Sequence, residues 1–195
     1  MNKFLVEFQS ATEKHRVLLE RPWSFDKFLL CIQDCVGCTT SKDITFTRES
    51  FWIQLHDLLF VGMNKTMGER LGATIGFVIT VDVDANDMAW GSYVRVKVLV
   101  DISKPLAIGH FLNMGEKRLW ISFKYERLPM FCFQFGVIMH VKLRCPSSTS
   151  DGGSREGQPA QYGPWLGPVP SQKLPRISIE GGNGLKIQTI GPKQV

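Results

Sequence analysis

The sequence has no apolar run long enough to cross a lipid bilayer as a helix. Its longest apolar-rich stretches, around Leu58–Met63 and Phe131–Val141, are much shorter than the roughly 20 residues that a membrane helix needs. The N-terminus reaches Glu7 before the apolar region of a signal peptide could form. The five cysteines are an odd number, and without a secretory signal they argue against a disulfide framework. These absences predict an intracellular protein, nuclear or cytoplasmic, without a membrane partner.

Sequence signatures of enzyme chemistry are missing as well. The chain has no phosphate-binding loop, dinucleotide fingerprint or nucleophile elbow. The acids between residues 82 and 87 fit a solvated turn better than a nuclease metal site, because short acids in turns bond to nearby backbone. Cys31, Cys35 and Cys38 lack a nearby fourth ligand for a closed zinc shell. We therefore predict a non-catalytic protein without a small-molecule substrate.

What the chain does have is a moderate apolar content and a basic C-terminal part. Hydrophobic residues make up 44% of the sequence, which is enough to build a folded core. The formal net charge is +5, and residues 131–195 hold 7 basic and 3 acidic side chains. A positive surface of this kind suits a polyanionic partner such as nucleic acid.

Local patterns in the N-terminal part predict a strand, a helix and a second strand. Apolar and polar residues alternate over 4–9, which is typical of a strand. Ser10 stands three residues before Glu13, the spacing of a helix capping box, and Arg21 precedes a proline that should end the helix. Residues 27–33 are apolar and strand-like. This order predicts the second half of a small α+β unit.

The next segment predicts the start of a second α+β unit. Residues 51–55 form a short aromatic and aliphatic strand. Asn64 is a suitable N-cap for a helix that we expect to run to Ile75, and Gly76 is placed for a left-handed C-cap. A further strand follows at 77–83.

Two longer stretches, 93–101 and 117–126, alternate with period two and predict a mostly antiparallel sheet. One face of each strand is aliphatic or aromatic and should meet the helix, whereas the other face is polar. If the two strands are neighbours, cations surround an indole on the polar face. The candidate binding residues there are Arg95, Lys97, Arg118, Trp120 and Lys124. An aromatic ring on a sheet can stack on a base while cations hold phosphates, and the alternative is an ordinary solvated face. Arg127, Lys142 and Arg144 extend the positive surface toward the C-terminus.

Cys132, His140 and Cys145 match three of the four positions of a retroviral-type zinc knuckle, C-x2-C-x4-H-x4-C. Three thiolates and one imidazole form a closed tetrahedral shell around zinc. Phe135 stands at the second ligand position and cannot coordinate a metal. We therefore expect no tightly bound cofactor, and zinc only if the incomplete knuckle still binds it weakly. The alternative is a chance match in an apolar strand.

Several longer motifs stand in a fixed order before and after the first knuckle cysteine. They are Arg21–Lys27 (RPWSFDK), Phe51–Leu58 (FWIQLHDL), Gly76–Gly91, Lys104–Leu106 (KPL), Trp120–Pro129 (WISFKYERLP) and Gln161–Leu166 (QYGPWL). Through them residues 1–166 resemble a plant domain of unknown function that is coupled to a CX2CX4HX4C zinc knuckle. This family is found in open reading frames of non-LTR retroelements.

The resemblance implies nucleic-acid binding, to RNA or single-stranded DNA, and a ferredoxin-like first domain. The chain departs from the family pattern in two places. It lacks the first strand, first helix and second strand of that domain, and it lacks the second zinc cysteine. Both departures fit a fragmentary copy of an element.

The sequence thus predicts an α+β protein that binds nucleic acid weakly, with little sequence preference, through cationic contacts and aromatic stacking. The alternatives are a protein-interaction or assembly module that self-associates through strand edges, and a non-functional fragment. The predicted divisions are a partial ferredoxin-like unit at 1–33, a linker at 34–50, a second α+β unit at 51–130, a degenerate knuckle at 131–145 and a tail at 146–195. The tail is expected to be mostly disordered, because Ser, Gly, Pro and Gln dominate the stretch after Cys145.

Overall fold

A five-stranded antiparallel sheet forms the centre of the protein, whose computed structural model describes residues 3–34, 44–138 and 161–168. In chain order the elements are α1 (Ala11–Leu19), β1 (Trp23–Phe25), β2 (Phe28–Leu30), β3 (Arg48–His56), α2 (Lys65–Gly72), β4 (Phe77–Asp82), β5 (Tyr93–Asp101), β6 (Gly109–Met114) and β7 (Lys117–Tyr125). The sheet has the strand order β4-β5-β3-β7-β6, while β1 and β2 form a separate hairpin. The α+β class with mainly antiparallel pairing is therefore confirmed.

One face of the sheet, here called the core face, carries the hydrophobic core. The four valines of β5, between residues 94 and 100, are all buried on it. Helix α2 packs closely on this face because two of its residues have no side chain. A Cβ on Gly68 would lie 2.7 Å from Val81, and a Cβ on Gly72 would lie 2.8 Å from Val78. The predicted contact between the helix and the aliphatic face is thus confirmed.

Single residues explain both ends of α2. The side chain of Asn64 accepts a hydrogen bond from the backbone N–H of Met67 at 2.9 Å, which confirms the predicted N-cap. The other end differs from the prediction, because the helix stops before Ile75 and Gly76 is not left-handed. Gly76 lies instead against the backbone carbonyl of Leu99 in β5, where a Cβ would collide with the oxygen. This glycine permits a close approach to the sheet and does not cap the helix.

The N-terminal part folds as α1 followed by the β1–β2 hairpin. The hydroxyl of Ser10 accepts a hydrogen bond from the N–H of Glu13 at 3.1 Å, so the predicted helix start is confirmed. Strand β2 covers only part of the predicted stretch 27–33. The strand predicted for 4–9 is wrong, because these residues have no strand conformation and are mostly exposed. Backbone groups of a strand need a hydrogen-bonded neighbour, and no described strand pairs with this segment.

The remaining differences concern the bounds of elements. β3 begins at Arg48, inside the predicted linker, and β6 was not predicted at all. Residues 35–43 of the predicted linker lie outside the described residues, as does the predicted tail except for 161–168. Within the described ranges, neither α-helix has the length and apolar character that crossing a membrane requires.

Candidate nucleic-acid interface

The face opposite the core face, here called the second face, carries the predicted binding residues in two separate groups. Gln54 of β3 lies opposite Arg95 of β5 on one side and opposite Lys124 of β7 on the other. The assumption that β5 and β7 are neighbours is therefore wrong, because β3 separates them. The first group is Arg95 and Lys97, and the second is Arg118, Trp120 and Lys124.

Acidic neighbours hold Arg95 in place. Its guanidinium donates to both carboxylate oxygens of Glu126, at 2.9 and 2.8 Å, and to Asp82 at 3.3 Å. Its Cζ atom also lies 3.9 Å from the ring centroid of Trp52. Burial opposes the charge, but the two carboxylates outweigh it and raise the pKa of Arg95 above its usual value. Burial likewise opposes the charge of Glu126, yet hydrogen bonds from Arg95 and Gln54 hold the pKa of that carboxyl below its usual value.

The C-terminal end of α1 covers the other cation of this group. Lys97 is only 8% exposed, and its ammonium donates to the backbone carbonyl of Leu19. Burial lowers the pKa of Lys97 below its usual value, and nearby arginines lower it further. Arg127 donates to the carbonyl of Glu20 at 3.0 Å but keeps an exposed side chain. Arg95 and Lys97 of β5 are thus both engaged with groups of the protein itself.

The β6–β7 hairpin exposes two aromatic rings and an arginine on the second face. Phe111 and Trp120 are cross-strand partners whose ring centroids lie 4.7 Å apart at an interplanar angle of 64°. Their side chains are 47% and 40% exposed. The Cζ atom of Arg118 lies 4.0 Å from the ring centroid of Phe111, and no other described residue forms an ion pair with this guanidinium. We call Phe111, Arg118 and Trp120 the β6–β7 patch.

The patch lines an open depression in the sheet surface. Its volume is about 580 Å³, and its lining residues are Gly109, His110, Phe111, Asn113, Arg118 and Trp120. Gly109 lets the indole of Trp120 lie directly against β6, because a Cβ there would be 2.6 Å from the indole Cε2. One side of the ring is therefore packed on the strand, and part of the ring stays open to a ligand.

Residues 161–168, here called the strap, pack beside β7. Pro164–Leu166 forms a short 3-10 helix in which Leu166 is only 2% exposed. This stretch departs from the predicted disordered tail because its leucine finds a buried position. The ammonium of Lys124 donates to the backbone carbonyl of Trp165, and the side chain of Trp165 is 49% exposed. The strap thus brings a third exposed aromatic residue next to a cation of the second face.

His56 lies at the end of β3 on the same face and is half-buried. Its Nε2 and the side-chain oxygen of Gln54 share a hydrogen bond of 3.1 Å, and its ring lies 4.9 Å from that of Tyr93. Burial lowers the pKa of His56; Asp57 opposes this shift and Lys124 adds to it. The imidazole is therefore neutral near pH 7 and adds no positive charge to the face.

The predicted zinc knuckle is described only in part. The N–H of Gly136 donates to the carbonyl of Cys132 at 2.7 Å, and the glycine has a φ of 69°, so the chain turns tightly here. Phe135 lies in this turn at the second ligand position and offers no donor atom to a metal. His140 and Cys145 lie outside the described residues, and the described ranges contain no cluster of three or more metal-ligating side chains.

Sequence reasoning missed two aromatic residues of this surface. Phe111 was missed because β6 was not predicted, and Trp165 because composition assigned it to a tail. The signal for β6 was available, since a glycine at 115 in a two-residue loop between β-forming stretches indicates a hairpin. The predicted contacts Lys142 and Arg144 lie outside the described residues.

Part of the chain is similar to a known protein family. Residues 100–147 match a family model described as a zinc knuckle, and this range contains the whole β6–β7 hairpin. An uncharacterized protein of Arabidopsis thaliana is 24% identical over 138 residues, which are 67% of this chain and 41% of that protein. The chain thus spans less than half the length of this relative. No solved structure matches the chain. The match to the zinc knuckle indicates nucleic-acid binding in general, with zinc as the corresponding metal.

Proposed function

We propose that this protein binds single-stranded RNA or DNA through the β6–β7 patch and catalyses no reaction on it. The observation that carries this proposal is the exposed ring pair of Phe111 and Trp120 with the guanidinium of Arg118 against it. Bases stack on exposed rings of a sheet, and an arginine beside the rings can contact a phosphate. The zinc-knuckle match supports a nucleic-acid partner and includes all three residues.

Single strands suit this surface better than a duplex does. In a duplex the faces of the bases are already stacked, whereas a single strand can splay its bases onto protein rings. Because every base has an aromatic face, stacking gives affinity with little sequence preference. Lys124 supplies further positive charge, since its described hydrogen-bond partner is a neutral carbonyl.

We also propose that the chain derives from a plant non-LTR retroelement and acts inside the cell. Two observations support this origin: the ordered motifs between Arg21 and Leu166 and the similarity to the Arabidopsis protein. Binding through stacking without base readout would allow the protein to coat any single-stranded stretch of a transcript.

A binding titration with matched variants tests the proposal. The probes are fluorescently labelled RNA, single-stranded DNA and duplex DNA of about 12 nucleotides, which lies within common site sizes. We expect single strands to bind more tightly than the duplex, and affinity to fall steeply with salt because phosphate contacts release counterions. Trp120→Ala should weaken single-strand binding about 5- to 150-fold, which corresponds to about 1–3 kcal/mol of stacking.

Trp90→Ala is the matched control. Trp90 is more exposed than Trp120, and it lies in the connection between β4 and β5, away from the β6–β7 edge. This variant should bind as the wild type does. Equal affinities of wild type and Trp120→Ala would refute the proposed site.

The second candidate is an assembly module, and edge strand β4 favours it. Phe77 is 71% exposed there, Ile79 is also exposed, and β4 has no neighbour on its outer side among the described strands. An exposed apolar edge can pair with another chain, and such pairing lacks the phosphate contacts that make nucleic-acid binding weaken as salt increases. Sedimentation at low and high salt separates the candidates. Oligomers that persist at high salt and that dissociate in the Phe77→Ser variant would favour the assembly module.

A further inference from the structure

We propose that Trp165 of the strap is a second stacking residue for the same single strand, held in position by Lys124 and Leu166. The inference rests on the proposed function of the β6–β7 patch and extends its site along β7. It assigns a binding role to a segment that follows the zinc-knuckle match at residues 100–147.

Two observations show that the strap packs on the rest of the protein. Leu166 is buried, which fixes the end of the 3-10 helix. The ring of Tyr162 lies against Gly136 of the knuckle turn, where a Cβ would be 2.5 Å from the Tyr162 Cζ atom. The segment is thus anchored on both sides of Trp165 by packing that does not involve the indole.

The indole itself is packed on one side and open on the other. Its ring folds back on Gly163, where a Cβ would be 2.6 Å from the Trp165 Cε3 atom. Nearly half of the side chain nevertheless remains accessible. A ring with one free side is what base stacking needs.

Lys124 holds the backbone of Trp165 close to the second face. The lysine side chain projects from β7 on the same side as Trp120, because the two residues are separated by an even number of positions. Its ammonium donates to the Trp165 carbonyl. An ammonium has three donor hydrogens, so the neutral carbonyl leaves both charge and donors for a phosphate.

The distance along β7 predicts how many nucleotides a single strand needs in order to contact both Trp120 and Trp165. Trp120 and Lys124 are four positions apart, which corresponds to about 13 Å along a strand. Nucleotides in a stacked strand advance about 3.4 Å each. About three stacked nucleotides therefore span about 7 Å, which is roughly half the distance from Trp120 to the lysine that contacts Trp165. A strand of about 12 nucleotides can cover both.

The test is an affinity titration of the full chain against single-stranded DNA of about 3 and about 12 nucleotides. Trp165→Ala should weaken binding of the long strand about 5- to 150-fold and leave the short strand unaffected. Trp165→Phe should retain most of the affinity, because it keeps an aromatic face. Leu166→Asp should release the strap and reproduce the weaker binding of Trp165→Ala.

The outcomes separate this inference from the proposed function. If Trp120→Ala weakens binding of both strands and Trp165→Ala changes the affinity for neither, the β6–β7 patch remains the binding site and the role of Trp165 is overturned. If Trp165→Ala tightens binding, the strap competes with the ligand, and the inference is also overturned. If Trp120→Ala has no effect on either strand, the proposed function itself fails. Trp90→Ala serves as the control for general effects of removing an indole.

Discussion

Gly109 of β6 lies directly beneath the indole of Trp120 in β7. A Cβ on the glycine would be 2.6 Å from the indole Cε2 and 2.5 Å from the carbonyl oxygen of Ile121. No side chain fits at these distances, so the absence of one at Gly109 decides where the indole lies. The indole of Trp120, in turn, covers the backbone of β6 at Gly109, where there is no side chain.

Gly109→Ala should therefore both destabilise the protein and weaken nucleic-acid binding. Crowding of this kind typically costs about 1–3 kcal/mol, and urea unfolding measures it. The affinity loss should approach that of Trp120→Ala, because the added methyl group displaces the indole. Gly62→Ala is the control, since its Cβ would meet Leu58 and Met67 at ordinary distances of 3.5 and 3.8 Å. Unchanged stability and affinity in Gly109→Ala would show that the glycine does not position the ring.

Two arginines of the second face should respond differently to neutralisation. Arg118→Gln should reduce the salt dependence of single-strand binding by up to about 0.7 in log–log slope for each phosphate that the variant no longer neutralises. Arg95→Gln should leave that slope unchanged, because the guanidinium of Arg95 already bonds to Glu126 and Asp82. Its effect should be on stability, about 1.5–3 kcal/mol for hydrogen bonds between charged groups.

The measurement is the affinity of each variant at several salt concentrations, together with its urea midpoint. If Arg95→Gln lowers the salt dependence of the affinity and leaves the stability unchanged, Arg95 of β5 contacts a phosphate. An unchanged slope in Arg118→Gln would remove this residue from the interface.

His56 should make the stability depend on pH below neutrality. Burial lowers the pKa of the folded imidazole below its ordinary value of 6.5, so the unfolded chain takes up the proton first as pH falls. The unfolded state then binds more protons than the folded state, and stability decreases as pH falls below 6.5. His56→Phe keeps a ring beside Tyr93. Between about pH 7.5 and about 5.5, this variant should lose less stability than the wild type does. Parallel losses in both proteins would contradict this assignment.

Local sequence patterns predicted those features that depend on residues close together in the chain. Strand β5 has the predicted bounds Tyr93–Asp101, and its valines face the core. Ser10 and Asn64 cap the two helices as predicted. Alternation and side-chain caps act over a few residues, so the sequence alone is sufficient to recognise them.

The pairing of strands could not be predicted in the same way. Alternation determines which face a side chain occupies, but not which strand lies beside it. β3 therefore separates Arg95 from Trp120, although both stand on the second face. Residues 4–9 alternate as a strand would, yet no described strand pairs with them. Leu166 stands in a polar stretch whose composition gave no sign that it would be buried.

Zinc binding should depend on the residue at position 135. Structural zinc contributes about 10–16 kcal/mol in intact finger peptides, and this requires a complete set of ligands. Phe135 stands where the second thiolate of a knuckle would be, so Cys132, His140 and Cys145 can supply three ligands at most. A site closed by water in the fourth position should release its metal on dialysis against a chelator.

Phe135→Cys should consequently gain a zinc ion that the wild type does not retain. The tight turn at Gly136, with its φ of 69°, directly follows position 135, where the second cysteine of a knuckle would stand. Phe133→Cys is the matched control, because it adds the same thiol two residues earlier, outside the C-x2-C spacing of the knuckle pattern. Metal analysis after dialysis should find about one equivalent in Phe135→Cys and much less in the other two proteins. One retained equivalent in the wild type would show that three protein ligands are enough, and that Phe135 has not removed the metal site.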